Sequence, residues 1–199
     1  MGEGGRSKSG FISDLASRDN SLVTMLTETH LHESVCSSEI LYHIPGYDMF
    51  RCDRANRQCG GVAILMKSSL SGELLGTFDN RVVEFVVVKA CSLNTVFCCI
   101  YRPPDTSLQE FSQALTELKK ILADIPTPTP TLVLGGDLNF PKDVISWQNI
   151  EGSLVPQVGE HRGEGNGVGP KVRVQASSLI ELMNYYNMNQ YVDRTTHGK

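Results

Sequence analysis

The apolar positions of this chain fall into runs that break off at polar groups. "SLVTMLTETH" (21–30) is apolar and β-branched until Thr, Glu and Thr take over, which predicts a buried strand carrying Glu28 at its C-terminal end. "YHIPGYDMFRCDR" sets a Pro-Gly turn before a short strand, and "GGVAILMKSSL" (60–70) is a strand entered through two glycines. "RVVEFVVVKACS" (81–92) and "NTVFCCIYRPP" (94–104) predict paired strands joined around residues 92–94. Both are almost continuously apolar, as strands covered on both faces are. Ser107 with Glu110 forms a capping-box signature, and Phe111, Leu115, Leu118 and Leu122 then mark one helical face. Proline punctuation at 125–130 ends that helix and leads into the strand "TLVLGGDLNF". Leu179, Leu182, Met183 and Tyr186 predict a second helix at 177–188. No internal repeat is present, and the order of strands, helix, strand, loop and helix is that of an α/β protein with a layered sheet core.

With 199 residues, 40% of them hydrophobic, the chain is long enough for one domain with a substantial core. Composition marks residues 1–10 as a disordered segment and the Gly-rich stretch 159–169 as a flexible loop within a domain spanning 11–199. No apolar run has the length of a membrane span, and the first ten residues lack the apolar stretch of a secretory signal, so an intracellular chain without membrane contact is expected. Met1-Gly2 begins like a myristoylation signal, but Arg6 stands where that signal needs Ser or Thr. None of the six cysteines forms a C-x-x-C pair, which favours reduced core thiols over a zinc site. A net charge of −4 speaks against non-specific nucleic-acid binding. The clusters Arg51/Arg54/Arg57 and Lys171/Arg173 read first as solvated surface and only second as a phosphate-binding edge.

Three strand ends gather functional groups: Glu28, Tyr101 with Arg102, and Asp137 with Asn139. Positions i and i+2 of an extended segment point the same way, so Asp137 and Asn139 are expected to reach one volume, with Gly135 and Gly136 allowing close approach. Ligands of open sheets gather beyond the carboxyl ends of strands. Glu28 and Asp137 suit a hard cation such as Mg²⁺, with Mn²⁺ as a substitute, and Asn139 could hold water or phosphate through its amide. A lone carboxylate after a strand is more often a turn or cap residue, so "DLN" by itself is a weak motif. His30 and His32 are read as solvated. Glu84, alone in a valine-rich strand, faces either a cleft or a charged partner at an edge. Asp193 and His197 are too near a chain end to assign.

Taken in order, "LTETHL", "DR…CGGVAILMKSSL", "VVEFVVVK", "CCIYRPP", "F…L…L" and "LVLGGDLNF" resemble the endonuclease/exonuclease/phosphatase superfamily. Within it the likeness is to the apurinic-endonuclease-like domain of non-LTR (LINE-type) retrotransposons, and "VDRTTHGK" is similar to that family's Thr-His-x-Gly stretch. The resemblance runs from about Phe11 to Lys199 and implies a DNase I-like four-layer α/β sandwich with Mg²⁺-dependent phosphodiester hydrolysis. It implies that Glu28 is the metal-binding glutamate and Tyr101 the contact to the scissile phosphate. It makes Asp137 the residue that activates water and Asn139 its supporting amide. DNA is then the expected substrate and the nucleus the expected location; the oligomeric state is left open. His30 stands where retroelement members often carry Trp. Members also begin with a strand bearing an Asn and end with a Ser-Asp-His or Gly-Asp-His strand, and neither is present here, so the expectation is a fold incomplete at both ends with weak or lost activity. Two other readings stand beside it: a non-catalytic remnant or binding module of the same fold, and a phosphoesterase acting on inositol lipid or sphingomyelin.

Overall fold

The computed structural model describes residue 12 and residues 20–54, 60–125, 130–141, 144–150, 153–159 and 169–188. The segment 1–10, Arg57, Cys59, most of the loop 159–169, and "VDRTTHGK" with its Asp193 and His197 lie outside the described residues. The chain divides into two compact units, Met1–Arg102 with Ile125–Asp137, and Pro103–Asp124 with Leu138–Lys199.

The first unit holds two sheets. One is formed by β1 (Val23–Thr27), β2 (Tyr47–Cys52) and β3 (Val62–Lys67) in the order β1-β3-β2, with antiparallel pairing throughout. The other has the order β4-β5-β6-β7 and contains β4 (Gly72–Asp79), β5 (Glu84–Ala90), β6 (Thr95–Tyr101) and β7 (Thr131–Asp137). β4, β5 and β6 pair antiparallel, whereas β6 and β7 run parallel. A parallel pair needs a long crossover, and α2 (Leu108–Ala123) lies in that connection.

Alternation within β3 divides the first unit's core in two. Val62, Ile64 and Met66 join Val86, Val88, Ala90, Cys99 and Tyr101 in one cluster shared by the two sheets. Leu65 points the other way, into a cluster with Leu31, Ile40 and Ile44 beside the short helix α1 (Ser37–Leu41). Each fully buried Val, Leu, Ile or Met side chain is worth roughly 1.5–3 kcal/mol, so a strand buried on both faces anchors both clusters. The predicted pairing of 81–92 with 94–104 is the β5–β6 hairpin, closed by a 3-10 turn over Cys91–Leu93 and a left-handed Asn94.

The second unit contains α2, the hairpin β8 (Ile145–Ile150)–β9 (Ser153–Val158), and α3 (Pro170–Tyr185). The capping box of α2 is formed as the sequence predicts: Glu110 N–H donates to Ser107 Oγ at 3.2 Å and Ser107 N–H to Glu110 Oε2 at 2.7 Å. α3 starts seven residues before its predicted beginning at 177, where Gly169 caps it and Pro170 takes the first turn. The apolar pattern hides that first half because it includes a buried glutamine. Gln175 tolerates burial because its amide donates to Thr106 O at 3.0 Å and Ser107 O at 2.9 Å.

The apolar pattern of the sequence predicts neither β4 nor the β8–β9 hairpin. In β4, "GELLGTFD" mixes exposed and half-buried positions, and its register shifts between Leu74 and Gly76, which breaks the alternation that would reveal a strand. The core-thiol reading holds for Cys52, Cys98 and Cys99, but Cys36 and Cys91 are exposed because each sits in the turn at the end of an element.

Candidate active site

Glu28, Tyr101 and Asp137 all stand at carboxyl ends of strands of the first unit. Glu28 follows β1, Tyr101 closes β6 and Asp137 closes β7. Tyr101 and Asp137 are direct partners in the parallel β6–β7 ladder, and therefore project from the same face. The Tyr101 hydroxyl reaches the other sheet and donates to Glu28 Oε1 at 2.6 Å. Convergence of the two sheets at this end brings the tyrosine and glutamate together from positions 73 residues apart. The pairing continues past the strand end, where Arg102 N–H donates to Asp137 O at 2.9 Å and fixes the backbone beneath the carboxylate.

Local backbone geometry aims these groups. Glu28 and His30 adopt left-handed conformations, with φ of 52° and 51°, in a region that non-glycine residues seldom occupy and that recurs at functional sites. The strand thus breaks at Glu28 and leaves its carboxylate exposed. In β7, Gly136 has φ +123°, and a side chain there would collide with the carbonyl of Ile100. Gly135 faces Met25 across the two sheets, and a Cβ there would lie 2.6 Å from the methionine sulfur. The two glycines of "LVLGGDLNF" therefore let β7 fit closely against β6 and β1, placing Asp137 at the rim.

Asn139 is placed differently from the sequence expectation. β7 ends at Asp137, and Asn139, with φ 45°, belongs to the second unit. The extended i, i+2 geometry that would align it with Asp137 stops two residues too early.

Charge around Tyr101 is organised by residues that the sequence left unassigned. Arg54, expected on a solvated surface, is buried, as is Glu84, and the two form an ion pair. β5 is an interior strand, so Glu84 is not an edge charge; it sits opposite Tyr101 in the β5–β6 ladder. The Arg54 guanidinium carbon lies 5.6 Å from the centroid of the Tyr101 ring. Burial, followed by the hydrogen bond to Glu28 and its charge, pushes the Tyr101 hydroxyl up to about 12. At neutral pH the phenol is thus a donor. A buried arginine could have been suspected from its place just before "CGGVAIL", but its partner lies 30 residues away.

Of the remaining cations, Arg51 pairs with Asp53 at 2.9 Å and donates to Val35 O at 2.7 Å. His32 is exposed, in line with the solvated reading, whereas His30 is half-buried. Both line a pocket of about 470 Å³ with His43, Glu39 and the apolar side chains Leu31 and Ile40.

Among the described residues no cluster of three or more His, Cys, Asp or Glu side chains is arranged to hold a metal. Glu28 stands at the strand ends as an exposed carboxylate, a donor of the kind a hard cation takes beside several waters. Among the described residues no helix is long and apolar enough to cross a membrane.

No protein-family model and no curated protein matches the sequence. Solved structures do match. An AP endonuclease from Archaeoglobus fulgidus is 14% identical over 88% of this chain and 66% of its own, with a TM-score of 0.52. A humanized D. rerio TDP2 carrying 14 mutations is 12% identical over 68% of this chain and 56% of its own, with a TM-score of 0.48. ANGEL2, a 2',3'-cyclic phosphatase, is 19% identical over 67% and 44%, with a TM-score of 0.45. The chain thus spans less than two thirds of TDP2 and ANGEL2 and 66% of the AP endonuclease. Likeness to the AP endonuclease shows the fold: mixed α/β with several sheets and helices, DNase I-like.

Proposed function

We propose that this chain carries a site for metal-assisted hydrolysis of phosphodiesters, with DNA as the substrate. The observation that supports it most is the meeting of Tyr101 with Glu28 at 2.6 Å on the strand ends that also carry Asp137. Glu28 would hold Mg²⁺, or Mn²⁺ in its place. Once bound, the ion would polarise a phosphoryl oxygen and stabilise the leaving oxyanion. Tyr101, protonated across the neutral range, turns its one O–H from Glu28 to a non-bridging phosphate oxygen when substrate binds. Asp137 takes the proton of the attacking water.

The finer assignment, to a nicking endonuclease of LINE-type retroelements, rests on the order of "LTETHL", "CGGVAILMKSSL", "CCIYRPP" and "LVLGGDLNF" and on the closing "TTHGK". A nuclear location accompanies that assignment.

The test is nicking of supercoiled plasmid by the purified chain with Mg²⁺, beside EDTA and Asp137→Ala controls. Nicking that requires the metal and disappears in Asp137→Ala supports the proposal. A folded protein that leaves the plasmid intact at every metal concentration rejects it.

A further inference from the structure

Three pieces of sequence that the proposed chemistry does not use meet in one buried place: Arg54, the glycines of "CGGVAIL", and Glu84. Arg54 pairs through Nε with Glu84, and its Nη2 donates to Val82 O at 2.8 Å. The second Glu84 oxygen accepts the N–H of Gly61 at 2.9 Å. A Cβ on Gly60 would come within 2.5 Å of Arg54 Nε and 2.9 Å of Glu84 Oε1, so only glycine fits over the pair. The same two glycines hold the segment that follows Glu28. Thr29 N–H donates to Gly61 O at 3.1 Å, and His30 N–H donates to Gly60 O at 2.8 Å. Arg54 also lies against the Tyr101 ring, and Glu84 stands opposite Tyr101 in the ladder.

Stability gives little reason to keep such a pair. Apolar side chains of similar volume in place of a buried ion pair are often neutral or stabilising, because the desolvation of two charges offsets their attraction. Placement gives a better reason. The pair touches both halves of the Glu28–Tyr101 contact: the ring through Arg54, and the Glu28 segment through the glycines packed on it. Direct contact of Arg54 with substrate is disfavoured, since the residue is only 8% exposed and Nε and Nη2 are committed to Glu84 and Val82.

We propose that Arg54, locked by Glu84, is a positioning residue that fixes the Tyr101 ring with its hydroxyl beside Glu28, from where its one proton can be turned to the phosphate. The inference rests on the hydrolytic reading above, and its test separates the two.

The test uses the 199-residue chain and the double variant Arg54→Met/Glu84→Leu, which leaves no buried charge unpaired. Tyr101 is followed by the ¹³Cζ resonance of labelled tyrosine, assigned among the six tyrosines by its loss in Tyr101→Phe. The double variant is expected to fold with a lowered urea midpoint, because Gly61 N–H and Val82 O lose their partners. Its Tyr101 resonance should move to the position seen in Glu28→Ala, and kcat for Mg²⁺-dependent nicking should fall roughly 10- to 100-fold with KM unchanged. Arg54→Lys, which keeps a cation beside the ring, should recover part of both signals. A folded double variant with the wild-type resonance and kcat overturns the proposal. Should the double variant not fold, Arg54→Lys decides: a displaced Tyr101 resonance supports the role, and an unmoved one overturns it. Should the wild-type chain cleave nothing, the hydrolytic reading fails, while the resonance still decides whether Arg54 orients Tyr101.

Discussion

The Tyr101 hydroxyl donates to Glu28 Oε1 at 2.6 Å, joining the last residue of β6 to the residue just past β1. The tyrosine ring belongs to the core cluster shared by the two sheets, whereas the glutamate is exposed. One contact therefore ties a rigid, packed side chain to the carboxylate best suited to hold a cation.

Tyr101→Phe isolates that contact. The ring keeps its core packing and its place beside Arg54, so stability should fall by only about 1 kcal/mol, the net worth of one hydrogen bond. Mg²⁺-dependent nicking should fall far more, roughly 10²-fold, because the lost group is a donor to the developing charge. Since the phenol titrates only near 12, the rate profile below about pH 9 should keep its shape in the variant. A change confined to stability, with the rate untouched, would place Tyr101 outside the chemistry.

Why the sequence yields some of this site and not the rest follows from where the signal lies. Glu28, Tyr101 and Asp137 are legible because each ends a run of apolar residues, and a strand end is a local feature. Arg54 and Glu84 are illegible because a buried ion pair is defined by its partner. Taken singly, the arginine reads as surface and the glutamate as an interruption in a valine strand. The same logic separates α2, announced by its own capping box, from the start of α3, where buried Gln175 is satisfied by carbonyls 69 and 68 positions away. The i, i+2 rule does not reach Asn139, because β7 ends at Asp137 and the left-handed φ of Asn139 is not extended.

Alkaline pH should destabilise the fold through groups that burial keeps protonated. Burial raises Cys52 from its ordinary 9.0 to about 11 and Cys99 to about 12, and pushes Cys98 in the same direction. Tyr101 rises from 10.0 to about 12. Below the lower, unfolded-state values both states hold their protons, and this contribution to stability is fully present. Above about pH 9 the unfolded chain ionises first, so stability falls as pH rises towards the folded-state values. Urea midpoints between about pH 8 and pH 11 should decline steadily, and Cys52→Ala should flatten the first part of that decline. A midpoint that holds constant across the range would contradict the assignment.

The exposed thiols should differ from the buried ones and from each other. Cys36 accepts a hydrogen bond from Ser38 Oγ at 2.9 Å, which lowers its thiol from the ordinary range and enriches the reactive thiolate. Among the described cysteines, brief alkylation followed by peptide mapping should label Cys36 first and Cys91 next. Cys52, Cys98 and Cys99 should label only after denaturation. Early labelling of Cys98 or Cys99 would mean that β6 opens readily in the native protein.

Gly135 and Gly136 should respond unequally to alanine, although they are neighbours in β7. At Gly135 the new Cβ would meet the sulfur of Met25, the far end of a flexible side chain that can swing aside. At Gly136 it would meet the backbone of Ile100, the direct partner of this glycine in the β6–β7 register, and φ +123° would be strained as well. Strain of that kind alone costs about 1–3 kcal/mol. Relief requires β7 to move away from β6, which separates Asp137 from Tyr101, its register partner one position on. Gly136→Ala should therefore lower the denaturation midpoint more than Gly135→Ala. It should also depress nicking beyond what its folded fraction explains, whereas Gly135→Ala should track its folded fraction. Equal losses in the two variants, in both stability and rate, would show that the close approach of β7 to β6 does not set the position of Asp137.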